Sequence, residues 1–191
     1  MTQISLFQHG SAEAMHDRGA ILSPDGTYRY RLWRIWDDDL APCAFVMLNP
    51  STADATVDDP TIRRCVGFAR AWGSGGIVVV NLFAVRATDP TELVRLDARG
   101  IDLVGRPEAD THIRKALAVT DVVVCAWGKT LGTWGKRWRD ALDARAAEVL
   151  AMVPQGVEVC SLGVTAGGHP RHPLYLRADT PREPFGVSRG R

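Results

Sequence analysis

A chain of 191 residues that is 46 % hydrophobic and 24 % charged is long enough to bury a core, which sets it apart from disordered and fibrous classes. Its net charge of +1 excludes the global basic field that advertises nucleic acid and leaves room only for a local groove that tracks phosphates. No run approaches roughly 18 apolar residues and the N-terminus lacks a cationic-then-apolar leader, so the expected location is the cytoplasm, with no membrane partner.

Pro24, Asp25 and Gly26 signal a turn, and residues 28–37 (Y-R-Y-R-L-W-R-I-W-D) then alternate basic and apolar side chains. That alternation predicts a strand with one wet face, paired with the next strand or the segment before it as an N-terminal strand or hairpin over 24–48. Arg29, Arg31 and Arg34 read as charge protecting the solvated face of an edge strand, with a phosphate-facing stripe as the alternative.

The most informative stretch is 44–54, A-F-V-M-L-N-P-S-T-A-D, which switches from apolar to polar at Asn49-Pro50. Pro50 fixes its own φ and pushes Asn49 toward extended geometry, so a buried strand stops there and delivers one amide to a loop. Asp58, Asp59 and Pro60 open a helix: an acidic N-cap candidate, proline at the first helical position, then Ile62, Cys65, Val66, Ala69 and Trp72 at helical spacing. Glycines over 73–76 end it. A second apolar run, 77–80, closes on Asn81, and a capping loop at 87–90 leads into a short helix over 91–96. A helix over 107–119 precedes the third run, 122–126, which ends at Trp127, Gly128 and Lys129. A longer helix over 134–153 precedes the fourth, 157–162, which enters a glycine-rich loop carrying His169-Pro170 and His172-Pro173. From 177 onward the chain is rich in Pro, Arg and Gly and reads as an irregular tail.

Four β-branched runs separated by helical segments predict an α/β three-layer sandwich around a central, mostly parallel four-stranded sheet. It reads as one domain over 1–176 and as a monomer, with a site at the carboxyl edge of the strands. Cys43, Cys65, Cys125 and Cys160 lie far apart with no C-x-x-C pairing, so they read as reduced core thiols with no metal and no disulfide. The Gly128-Lys129-Thr130 triplet lacks the upstream glycine of a phosphate loop, since Val123 stands there. No dinucleotide glycine triplet and no serine nucleophile elbow is present.

What remains is a constellation of Asn49, Asn81 and His172 at strand ends on one side. Asparagine at such a position ordinarily forms a turn, whereas a histidine before proline in a glycine loop has little core to join. In M-L-N-P (47–50), V-V-N (79–81) and H-P-L (172–174), taken in that order, the chain resembles the uracil-DNA glycosylase superfamily. The stretches V-V-N-L-F-A-V-R-A-T-D-P-T-E-L (79–93) and V-V-V-C-A-W-G-K-T-L-G (122–132) extend the resemblance over about 44–176. L-N-P-S-T-A-D and H-P-L-Y-L look like the signatures of an uncharacterised bacterial family within it. Met47 stands where the superfamily has glycine, and Leu174 where it has serine.

The resemblance implies base flipping and hydrolysis of the N-glycosidic bond of a uracil-like or modified base in DNA, without cofactor. It implies that Asn49 holds the attacking water, His172 donates to the departing base, and Asn81 reads the pyrimidine edge. Pro50, Ser51, Phe83 and Leu174 would complete the substrate pocket, with Phe68 and Trp72 as other stacking candidates, and Lys129, Arg86 and Tyr175 would meet DNA. A non-catalytic nucleic-acid or nucleotide binding module on the same fold is the other expectation. The two differ in whether Asn49 and His172 share an open pocket or are bonded to backbone.

Overall fold

The runs at 43–47, 77–80 and 123–125 are buried on both faces, as strands between two helical layers must be. A computed structural model, which describes residues 18–128 and 135–186, places them at the centre of one sheet. Its strands are β1 (Arg18–Leu22), β2 (Arg29–Ile35), β3 (Pro42–Met47), β4 (Gly76–Asn81), β5 (Val122–Cys125), β6 (Glu158–Ser161) and β7 (Glu183–Pro184). They stand in the order β1-β2-β4-β3-β5-β6-β7, with β1, β2 and β7 antiparallel to their neighbours and the other pairings parallel.

The expectation of a central four-stranded, mostly parallel sheet with an N-terminal hairpin is therefore corrected: the sheet is seven-stranded and mixed. β2 does not pair with β3, because β4 and β5 occupy both edges of β3. It pairs instead with β4 and β1, so that Leu32 faces Val79 on one side and Ala20 on the other. The five residues of β1 give too little alternation to announce a strand, and β7 carries a proline that only an edge tolerates. β7 lies inside the segment that reads as an irregular tail.

The solvated-edge reading of the β2 arginines also fails. Arg29, Arg31 and Arg34 are 3 %, 8 % and 6 % exposed, since β2 is an inner strand covered on both faces. A β-bulge at Tyr30 separates two pairs, Arg31 opposite Ile21 and Arg29 opposite Leu22. Tyr30 and Arg31 consequently share a face, where Tyr30 stacks on His112 at 5.5 Å and Arg31 lies over Trp33. Arg29 and Arg34 emerge on the other.

The helices are α1 (Pro60–Ala71), α2 (Glu92–Ala98), α3 (Glu108–Leu117) and α4 (Lys136–Leu150). α1 starts where its chemistry dictates, with Asp59 accepting from the Ile62 N–H at 2.8 Å and proline in the first turn. Its Ile62, Cys65, Phe68 and Ala69 pack on Phe45, Met47, Ile77 and Val79. The other helices cover the opposite face, where Leu93, Ile113 and Leu142 meet Val46, Val78 and Val123. Buried Arg145 joins that layer by donating to the Leu82 carbonyl and to Asp110 and Glu148.

At Gly75 a Cβ would sit 2.2 Å from the Leu40 carbonyl oxygen and 2.3 Å from that of Asp37, so the turn entering β4 closes only around glycine. β3 and β5 are neighbours, yet their following helices lie on opposite faces. Such a divergence makes the region between their carboxyl ends the place where open α/β sheets bind ligands.

Candidate functional site

That region holds a cleft of about 820 Å³ lined by residues of the β3–α1 loop, the loop after β4, the segment just after β5 and the loop after β6. Asn49, Ser51 and Asp59 come from the first, Ala87 and Thr88 from the second, Trp127 and Gly128 from the third, and Arg171, His172, Leu174 and Tyr175 from the fourth.

The Asn49 amide is oriented by the chain around it. Its Nδ2 donates to the Ala87 carbonyl at 2.7 Å and the Pro50 carbonyl at 3.1 Å, which uses both hydrogens. Oδ1 is left as an acceptor with no partner among the described residues.

His172 caps the single 3-10 turn Pro173–Tyr175, its Nδ1 accepting from the Leu174 N–H at 3.3 Å. A nitrogen that accepts carries no proton, so the neutral ring bears its hydrogen on Nε2, which has no partner among the described residues. Burial lowers the His172 pKa below the ordinary histidine range while the Asp59 charge pulls the other way, so the neutral form prevails at pH 7. The turn is held close by Gly128, whose φ is +79° and whose absent Cβ would lie 3.4 Å from that of His172. Arg64 of α1 reaches across to the Leu176 carbonyl and ties the same turn to the first helix.

The β3–α1 loop is pinned from beneath. Arg29 Nη1 donates to the Ala53 carbonyl at 2.8 Å, and Arg34 reaches the Asp54 carbonyl at 2.8 Å and Asp58 at 2.7 Å. Arg29 has no carboxylate at ion-pair distance among the described residues, and burial pulls its pKa down to about 10.

The remaining sequence candidates divide between the cleft and other parts of the fold. Asn81 is 4 % exposed and sits behind the cleft, its Oδ1 facing Arg29 Nη2 at 3.5 Å and its Nδ2 unpartnered. Pro50 is buried, with its carbonyl accepting from Asn49 and from the Ala87 N–H. Phe83 borders a separate cavity of about 230 Å³ and meets Trp138 edge-on. Phe68 and Trp72 stack on each other in the α1 layer. Arg86 donates to the Gly26 carbonyl, outside the cleft lining, and Lys129 lies outside the described residues. Ser51, Leu174 and Tyr175 do line the cleft, and Tyr175 is 86 % exposed.

Sequence reasoning overlooked Asp59, visible only as a helix cap, along with Arg171 and the Trp127 wall. An acidic residue immediately before a helix that follows the Asn-Pro loop was the available signal. The four cysteines are buried and free, and among the described residues no group of three or more metal-ligating side chains converges. No helix among the described residues is long and apolar enough to cross a membrane.

The fold and cleft define an α/β protein that presents an amide, a neutral imidazole and a carboxylate at the carboxyl edge of parallel strands. The chain belongs to the family described as protein of unknown function (DUF1643), whose model matches residues 29–174. That match runs from the first arginine beneath the loop to the turn after His172. Comparison with curated proteins and with solved structures gives no match.

Proposed function

We propose that this protein hydrolyses the N-glycosidic bond of a uracil-like or modified base in DNA. The observation that carries the reading is that Asn49 and His172, from loops more than a hundred residues apart, line one cleft with complementary unpartnered atoms, an amide oxygen and an imidazole N–H. A volume of about 820 Å³ suits a nucleobase with its sugar. The resemblance of M-L-N-P and H-P-L to uracil-DNA glycosylase motifs supports the same chemistry.

A base reaches such a cleft only after leaving its stack. Asn49 Oδ1 then accepts from a water and aims its lone pair at C1′. Nε2–H of His172 donates to the base carbonyl oxygen as negative charge develops on the departing ring, a placement worth about 3 kcal/mol. Exposed Tyr175 and Arg171 at the cleft supply a stacking surface and a cation for the strand.

A non-catalytic binding module is the second reading, favoured by the backbone bonds that Asn49 Nδ2 and His172 Nδ1 make. Oligonucleotides carrying uracil, hydroxymethyluracil, xanthine or mismatched thymine, scored for abasic sites, separate the two. On the first reading Asn49→Ala and His172→Ala each slow base release by about 100-fold or more with affinity nearly intact. Binding that these substitutions weaken, with no base released from any substrate, selects the module.

A further inference from the structure

We infer that Asp59 is the general base of the cleft, its Oδ2 taking the proton of the water that attacks the sugar. The inference rests on the glycosidic reading above. An amide oxygen orients a water but is too weak a base to deprotonate it, so a hydrolytic cleft with only Asn49 and His172 lacks a proton acceptor. Asp59 is the one carboxylate among the described residues lining the cleft.

Its geometry divides the side chain between two tasks. Oδ1 accepts from the Ile62 N–H at 2.8 Å, which fixes the carboxylate, while Oδ2 has no partner among the described residues. The neighbouring carboxylate is spent differently, since Asp58 is bound by Arg34 through both Nε and Nη2. Among the described residues no cation closes an ion pair on Asp59, because Arg29, which feels its charge, is directed to the Ala53 carbonyl and Asn81. Capping alone needs only a neutral acceptor such as serine or asparagine. A charge held in a mostly apolar cleft also faces the positive charge that grows on the sugar.

In the step so assigned, the C1′–N bond breaks and its electron pair leaves on the base, where His172 Nε2–H stabilises it. The water oxygen bonds to C1′ and its proton passes to Asp59, which returns it to solvent. The base anion regains a proton from water, so the products are the abasic sugar and the free base.

Asp59→Asn and Asp59→Ser test this, because both keep an acceptor for the Ile62 N–H and so retain the cap. The expected result is a kcat lower by about 100- to 10,000-fold at nearly constant KM, with urea midpoints near wild type and release partly restored in Asp59→Ser by added formate. Two folded variants releasing base within about threefold of the wild-type rate overturn the role of Asp59 and leave the glycosidic reading standing. A loss explained by unfolding, with kcat of the folded fraction unchanged, overturns it equally. A wild-type protein that releases no base from any of the oligonucleotides overturns both.

Discussion

Replacing Arg34 with methionine asks whether the loop that builds the cleft is held from below. The guanidinium gives Nε and Nη2 to Asp58 Oδ1 at 2.8 and 2.7 Å, and Nη2 also meets the Asp54 carbonyl at 2.8 Å. Methionine occupies much of the same space but donates nothing, so Asp58 loses its cation and Asp54 its donor. Removing one member of a fully buried pair costs about 3–5 kcal/mol. The Asp58 side chain is 29 % exposed, and water recovers part of that loss, leaving about 3 kcal/mol. For a domain of this size the corresponding fall in Tm is roughly 6–12 °C. Urea melts at constant m measure the loss, and a cycle with Asp58→Asn should return a coupling energy above about 1 kcal/mol. Amide exchange at Val57, which donates to Asp54 Oδ1, should quicken as the loop loosens. A loss below about 1 kcal/mol, or strict additivity in the cycle, refutes the clamp.

Gly75→Ala should cost about 2 kcal/mol or more in urea melts, since the added carbon meets two backbone oxygens that cannot rotate away. His172 should titrate by NMR below the ordinary histidine range, and lower still in Asp59→Asn, which removes the charge that props it up. Because the folded pKa is the lower one, the unfolded chain takes up the proton first. Stability should therefore fall as pH drops below about 6.5 and level off beneath the folded pKa, a loss that His172→Gln would flatten. The four thiols should resist a thiol reagent until the protein unfolds, with burial pushing Cys43 and Cys160 up to about 12 and Cys65 and Cys125 upward as well. Rapid stoichiometric labelling of the native protein would contradict their burial.

The inner strands and α1 were legible because their signals are local. Asn49-Pro50 stops β3, and Asp59-Pro60 starts α1 with the expected cap bond. Strand partners were not, because pairing is settled between segments far apart: nothing within 28–37 says that Leu32 will face Val79 rather than a residue of β3. Alternating Arg and apolar residues look alike whether water or a loop covers the arginines, and here the cover, Ala53 and Asp54, lies about twenty residues away. The cleft was half legible for the same reason. Asn49 and His172 announce themselves as polar residues at strand ends, whereas Asn81, equally placed in the pattern, is buried by its neighbour Arg29. Asp59 was hidden behind a structural role that fully accounts for it in sequence.

The extra residue at Tyr30 uncouples the two halves of β2. In an unbroken strand, side chains two apart share a side, so any change of register would carry the whole row across the sheet together. With the bulge in place, Arg29 takes the side of Leu32 and Arg34, and Tyr28 that of Trp33, although a strict alternation counted back from Trp33 would place them the other way round. Deleting Tyr30 would thus remove the ring from the stack on His112 and restore strict alternation with Arg29 still on the side of Leu32 and Arg34, beneath the β3–α1 loop, and Tyr28 still on that of Trp33. A single inserted residue is what lets the supporting cation and the aromatic stack vary independently on the same strand.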